Sequence, residues 1–461
     1  MIKKIGLIST FAPGEFWDPA VAVRVSKEHD ELKRRLDAEG YKVLDAGSLH
    51  RSYRELTQAA KTLRAQGIYA LVVFVGTWAY ANAIAGAALE AGVPTIVWGD
   101  ATPGTCGLVG SAIAMGGMDE YGLHANLVYG PMDDAQTWTR ARMLLDAACA
   151  VGALRGNVLG VAGGRCMGML TAVCDPNEVR RKFGVEIDAF EQLAVVEQAE
   201  QIEEARVSHF FTWMQDRFGK MIASEDVIRR QIRLYLAVKE LIAREGYDFV
   251  AAKCMPEMLN HYTSFCLAHS ILGDAQDDMG LKERVVFACE GDINAALTMQ
   301  LLKYVAPGSP VLFSDISEYN FADDLVLTCN CGSQPTDFAE DPREVWWEKE
   351  GVHEHHWKYG GTCPQYVSRS GLATAARLGR KNGRYRMLIM PVDVVKQPRE
   401  RLRESTWERP HTYFRLRCSK EDFFNNVRSN HIHLAYGDHV RCLEEVCNIL
   451  DIDPLILGAK E

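Results

Sequence analysis

The sequence predicts an α/β protein in three parts: two Rossmann-like α/β domains with parallel sheets, then a β-rich, barrel-like C-terminal domain. Three observations carry that reading. At 461 residues the chain is too long for one compact core. Up to about residue 306, short continuous apolar runs alternate with stretches whose apolar residues recur at helical spacing. Strands buried on both faces and separated by amphipathic helices make parallel sheets. Beyond Pro307 helical spacing is scarce and short extended segments take over.

In the first domain, 1–155, the apolar run 4–9 is a strand and 25–39 a helix. A short extended piece at 42–44 precedes a helix at 55–66, a fully apolar strand at 69–75, a helix at 80–91 and a strand at 94–98. The second domain, 156–306, opens after Gly156 with a strand at 157–162 and the turn Gly163-Gly164-Arg165-Cys166-Met167-Gly168-Met169. A strand at 185–190, two long helical patterns across 195–245, strands at 249–253 and 285–290, and a helix at 294–304 follow. In the third domain, 307–461, strands are expected at 311–313, 324–328, 385–394 and 412–417, with a closing helix at 439–450.

The formal charge is −10 and no long basic block occurs, which argues against nucleic acid and anionic membranes as partners. No run of 18 apolar residues occurs, so no membrane span is expected, and the apolar stretch at the N-terminus is too short for a signal peptide. The 13 cysteines are odd in number and scattered, as expected of reduced thiols in a cytoplasmic protein. Cys329, Cys331 and Cys363 lack the paired C-x-x-C spacing of a zinc ribbon and read as a cysteine-bearing turn. Gly163-Gly164-x-x-x-Gly168 lacks the lysine of a phosphate loop. The cluster His353, His355 and His356 reads as surface loop.

Two acidic residues stand at the ends of apolar strands: Glu290 after Val285–Cys289 and Asp315 after Pro310–Ser314. A His-bearing turn, Ser429-Asn430-His431-Ile432-His433, follows about a hundred residues later. A carboxylate at the end of a buried strand is costly unless paired, protonated or metal-bound. Two carboxylates and an imidazole make a ready site for a divalent cation. Each alone has a plainer reading: an acid at a strand end commonly caps the next helix, and His433 reads as a core histidine.

Laid out this way, the chain resembles the L-fucose isomerase and L-arabinose isomerase superfamily, loosely but over nearly its whole length. The Ala-x-Glu-x-Asp strand end of the fucose isomerases has its counterpart in Ala288-Cys289-Glu290-Gly291-Asp292, followed by Asn294. The Phe-x-Asp strand end corresponds to Phe313-Ser314-Asp315, and an Asn-His pair near the C-terminus to Asn430-His431. The resemblance implies that Glu290, Asp315 and His431 bind a divalent metal, typically Mn²⁺. It also implies substrate contacts by Trp78, supplied to a neighbouring subunit's site, and by Met167, Trp407 and Asn430, with Lys253 or Glu257 on a further site segment. A homo-oligomer, hexamer or tetramer, with sites shared between subunits is the implied assembly. Arg165 departs from the family, which carries a small or apolar residue there, and no counterpart of the second metal-binding imidazole of arabinose isomerases is evident.

The implied reaction is aldose–ketose isomerisation through a cis-enediol. It needs one group to move a carbon-bound proton and another to relay an oxygen-bound proton. Glu290 and Asp315 are the expected acid/base pair, with His431 fixing the metal. Carboxylates and water favour hard cations, and one imidazole tilts the choice toward Mn²⁺. The expected substrate is a deoxy sugar, a pentose or a 6-substituted sugar, a sulfonated one included. For an anionic tail, Arg165 and Arg428 are the candidate partners. The alternative is a non-catalytic sugar-binding protein on the same scaffold, which has no need of two convergent carboxylates.

Overall fold

A computed structural model describes residues 2–12, 19–349, 358–403 and 409–458. Trp407 and the histidines 353, 355 and 356 lie outside the described residues. The chain divides into two compact units. The first holds residues 1–155 and 441–451, the second residues 156–440 and 452–461.

In the first unit five parallel strands are ordered Lys42–Asp45, Lys4–Thr10, Ala70–Val75, Thr95–Gly99 and Ala125–Tyr129. Alternate residues of the central strands enter two separate cores. Val72, Phe74, Ile96 and Trp98 share one face; Leu71, Val73, Val75 and Val97 share the other. That is why the run 70–75 carries no polar residue. The capping pair Ser52 and Glu55 starts the helix Tyr53–Ala65. The sequence reading lacked the edge strand Ala125–Tyr129, which is only partly buried and so weakly patterned. The helix Val440–Ile449 is amphipathic, and its Glu445 accepts hydrogen bonds from His124 (2.8 Å) and Asn126 (2.6 Å) of the first unit.

In the second unit a four-stranded parallel sheet has the order Phe287–Cys289, Phe249–Ala252, Val158–Ala162, Glu186–Ala189. The expected pair of long helices is three: Gln192–Glu200, Glu204–Arg217 and Glu225–Glu245. The interruption after Arg217 is used by the short strand Lys220–Met221, which pairs with Trp346–Lys349.

The β-rich part closes into a barrel. Six antiparallel strands run in the order Gly371–Lys381, His431–Tyr436, Val311–Asn320, Leu325–Cys329, His411–Leu416, Arg384–Val394, and the last pairs back to the first. Closure leaves no free edge within the ring. Asp453–Ile456 adds in parallel outside it. The strand carrying Asp315 does not end there, as expected, but continues to Asn320. Its burial stops at Ser314, and the polar residues beyond hid the continuation. His431 likewise opens a strand rather than sitting in a turn. Among the described residues no helix is long and apolar enough to cross a membrane.

Candidate active site

The site forms where the parallel sheet of the second unit meets the barrel. Glu290 is the first residue after the strand Phe287–Cys289 and has φ +61°; Gly291 follows at φ +63°. A non-glycine residue in this left-handed region costs on the order of 1–2 kcal/mol. The two left-handed residues reverse the chain so that Asp292 can cap the helix Ile293–Val305, accepting from the Ala295 amide at 2.9 Å. A Cβ at Gly291 would lie 3.0 Å from the Gly164 carbonyl oxygen, so the turn 163–169 sits directly against this bend. Both features lie at the C-terminal ends of parallel strands, the usual place for ligand sites in such sheets.

Asp315 and His431 are cross-strand partners on neighbouring barrel strands. Phe313 and His433 share their face, and the Phe313 ring packs on His431 at 4.5 Å between centroids. The helix Ile293–Val305 packs against the strands carrying His431 and Arg377, which brings Glu290 and Asp292 to the same place.

One ligand atom each of Glu290, Asp315 and His431 lies within 4.8 Å of the others. His431 Nε2 is 3.2 Å from Glu290 Oε2 and 3.5 Å from Asp315 Oδ1. Neither His431 Nε2 nor Glu290 Oε2 makes a hydrogen bond among the described residues, although both are buried. The carboxylates of Asp292 and Asp315 are held by neighbours. Asp292 Oδ2 accepts from His431 Nδ1 at 2.7 Å and from Arg377 at 2.8 Å. Asp315 accepts from Asn330 at 2.6 Å and Asn430 at 2.8 Å, and Ser333 donates to Asn330 at 2.8 Å.

The electrostatics fit a divalent cation. Burial disfavours charge on Asp292, yet Arg377 and His431 hold it well below the usual carboxylate range. Burial raises Asp315, with His431 opposing and Glu290 adding to the rise. Burial alone would lower His431, but its hydrogen bond to Asp292 and the facing carboxylates raise it to about 9. Within this group three carboxylates face one guanidinium and leave two negative charges, the charge one divalent ion cancels beside a neutral imidazole. Two carboxylates and an imidazole suit Mn²⁺ or a similar ion. Asp292 is then the carboxylate behind the ligand histidine that fixes its Nδ1–H tautomer and aims Nε2 at the metal.

Of the residues the sequence singled out, Glu290, Asp315, His431 and Asn430 are brought together. Lys253 ends the neighbouring strand and pairs with Glu257 at 2.9 Å. Its Cβ stands where a Cβ on Gly163 would come within 2.8 Å, so it flanks the turn. On that turn Met167 is 65% exposed with φ +45°, and Arg165 is exposed with no ion pair among the described residues. Trp78 lies in the first unit, edge-on to Tyr80. His433 is a buried core residue beside Arg377, with burial lowering it well below the usual imidazole range. Cys166 and Cys289 border Glu290; burial pushes Cys166 up to about 12 and helps raise Cys289 as well, so neither is a ready nucleophile.

Sequence reasoning missed Asp292, Arg377 and Asn330 as members of the site. Asp292 was visible in the Glu-x-Asp spacing but reads equally as a helix cap, which it also is. Arg377 and Asn330 carry no local signal, since strand pairing beside Asp315 and packing of the helix Ile293–Val305 on the strand of Arg377 bring them in.

Residues 328–456 match the L-fucose isomerase C-terminal domain family. The chain is 23% identical over 313 residues to a sulfoquinovose isomerase of Alkalicoccus urumqiensis, covering 66% of this chain and 68% of that protein. It is 21% identical over 323 residues to a sulfoquinovose isomerase of Priestia aryabhattai, with the same coverage. These matches support kinship with the fucose isomerase-like family, with the family model confined to residues 328–456. The matched segment contains Asn430 and His431, while Glu290 and Asp315 lie before it. Among solved structures, a periplasmic solute-binding protein of Actinobacillus succinogenes 130z with bound D-allose is 15% identical. It covers 66% of this chain and 91% of its own, and its TM-score of 0.17 is too low to bear on fold or function.

Proposed function

We propose that the chain is a divalent-metal-dependent aldose–ketose isomerase that moves protons through a cis-enediol, acting on a 6-sulfonated aldose of the sulfoquinovose type. The coarser statement, a sugar isomerase, is supported by the family and by the names of the relatives. The metal dependence rests on a single observation: Glu290 Oε2 and His431 Nε2 are buried 3.2 Å apart, make no hydrogen bond among the described residues and converge with Asp315, while the sulfonated substrate rests on the relatives' names.

Glu290, Asp315 and His431 would hold the cation. A bound Mn²⁺ or similar ion would supply Lewis-acid stabilisation of charge developing on two adjacent sugar oxygens. The protein's own residues do the rest. Glu290, on its strained bend, and Asp315, on its barrel strand, converge and form the acid/base pair. Asn330 and Asn430 fix both oxygens of Asp315, so it holds one orientation while it gains or loses a proton. Asp292 keeps the proton of His431 on Nδ1, away from the reacting atoms. The turn 163–169 and Lys253 border the space beside Glu290 where the sugar would lie. The reading includes a cytoplasmic homo-oligomer, hexamer or tetramer, with Trp78 completing the site of a neighbouring copy; sedimentation and a Trp78→Ala variant test that part.

A panel of aldoses, neutral and sulfonated, assayed with Mn²⁺ tests the proposal. Ketose formation from the sulfonated aldose supports it. Tight sugar binding without any ketose would show a sugar-binding protein instead.

A further inference from the structure

Beyond the isomerase reading, and independent of it, the second unit carries a basic pocket behind the Asp292 side of the site. We propose that this pocket binds a small organic oxyanion, a phosphate monoester or a sulfonate. Its volume is about 370 Å³, within the range of small-molecule sites. Arg377, Arg380, Lys381, Arg386 and Arg428 line it, and no acidic residue does. This concentration stands out in a protein of net charge −10, whose overall field repels anions.

The hairpin Gly371–Lys381 and Arg384–Val394 builds the floor. Arg377, Gly379 and Lys381 alternate onto one face, and Gly379 and Arg377 are cross-strand partners of Arg386 and Leu388. A Cβ on Gly379 would meet nothing within 4 Å, so the space over the floor is open. Leu388 and Leu455 give an apolar patch for the body of a ligand. Arg386 is engaged by Asp453 at 2.6 Å and Arg377 by Asp292, but Lys381 and Arg428 have no ion pair among the described residues. Arg377, which lines the pocket, is only 6% exposed, and its Nε is buried with no hydrogen-bond partner among the described residues. A buried guanidinium N–H left unpaired is costly, and an acceptor beside Arg377 would relieve that cost.

The oxyanion can come from two sources, the tail of the sugar substrate or a separate metabolite. Calorimetric titration of the metal-loaded full chain with D-glucose 6-phosphate, with D-glucose as the neutral control, tests the pocket. The phosphate ester is expected to bind and glucose not to. Lys381→Ala and Arg428→Ala are each expected to weaken binding roughly ten- to a hundredfold, the range of a charge-assisted hydrogen bond. Gly379→Leu is expected to abolish binding by filling the pocket, with unchanged circular dichroism. Equal binding by wild type and Lys381→Ala, or no binding at all, overturns the proposal. Sulfate competing with a sulfonated aldose in turnover, with Arg428→Ala raising KM for that aldose alone, identifies the tail; binding that leaves turnover kinetics competitive with nothing identifies a separate metabolite. Because binding is read without turnover, failure here leaves the isomerase reading untouched, and the reverse holds too.

Discussion

Replacing Asp292 by Asn isolates the role of the carboxylate behind His431. In the wild type Asp292 takes the His431 Nδ1–H at 2.7 Å and the Arg377 guanidinium at 2.8 Å, in a fully buried setting. An amide oxygen can still accept from Nδ1–H, so the geometry survives while the negative charge is lost. Two consequences follow. His431 loses the largest influence raising it and titrates below its wild-type value of about 9. Its Nε2 becomes a weaker donor, and losing such a partner lowers metal affinity about 10- to 100-fold, or roughly 1.4–2.7 kcal/mol. Arg377 also loses its counter-charge, so stability is expected to fall by about 3–5 kcal/mol. The assay is competitive Mn²⁺ titration of folded protein, checked by near-ultraviolet circular dichroism, with an NMR titration of His431 in the metal-free state. A folded Asp292→Asn protein with wild-type Mn²⁺ affinity and an unshifted His431 would refute the reasoning.

Glu290→Gln and Asp315→Asn are each expected to lower isomerisation by at least ~10²-fold, measured as kcat, with the fold intact; near-normal turnover in either ends the acid/base assignment. Metal binding is expected to tighten as pH rises from about 6 to 9 and then level off. The reason is that His431, raised to about 9 in the metal-free protein, must give up its Nε2 proton to become a ligand. Calorimetry in buffers of different ionisation heat should show about one proton released per metal at neutral pH, and a flat affinity would contradict this. Gly291→Ala is expected to destabilise the chain by about 1–2 kcal/mol and to impair turnover, because it adds a Cβ at φ +63° and 3.0 Å from the Gly164 carbonyl oxygen; thermal melting and kcat together check it.

Much of this was legible in the sequence because burial writes itself into pattern. The run 70–75 feeds two cores and is apolar throughout, so its strand could be read directly. Glu290 and Asp315 stood out because charge beside buried strands needs a reason. The edge strand Ala125–Tyr129 and the barrel strand Gly371–Lys381 were not legible. The first is half-solvated, and the second mixes small buried residues with charged ones at its end. Arg377 and Asn330 were invisible as site residues for a related reason. Arg377 acts on Asp292, which packing of the helix Ile293–Val305 against its strand brings near, and Asn330 acts on Asp315 across a strand pairing that the sequence does not display.

The most direct test is to run the reaction in D₂O with metal-stripped protein, before and after adding Mn²⁺, on a 6-sulfonated aldose. The ketose product is then isolated and weighed by mass spectrometry after back-exchange in H₂O. Proton transfer by Glu290 and Asp315 through a cis-enediol predicts no ketose without metal. With Mn²⁺ it predicts ketose carrying carbon-bound deuterium, and at least ~10²-fold slower ketose formation with Glu290→Gln. Full turnover by the metal-free protein, or ketose formed with no solvent deuterium on carbon, would contradict it.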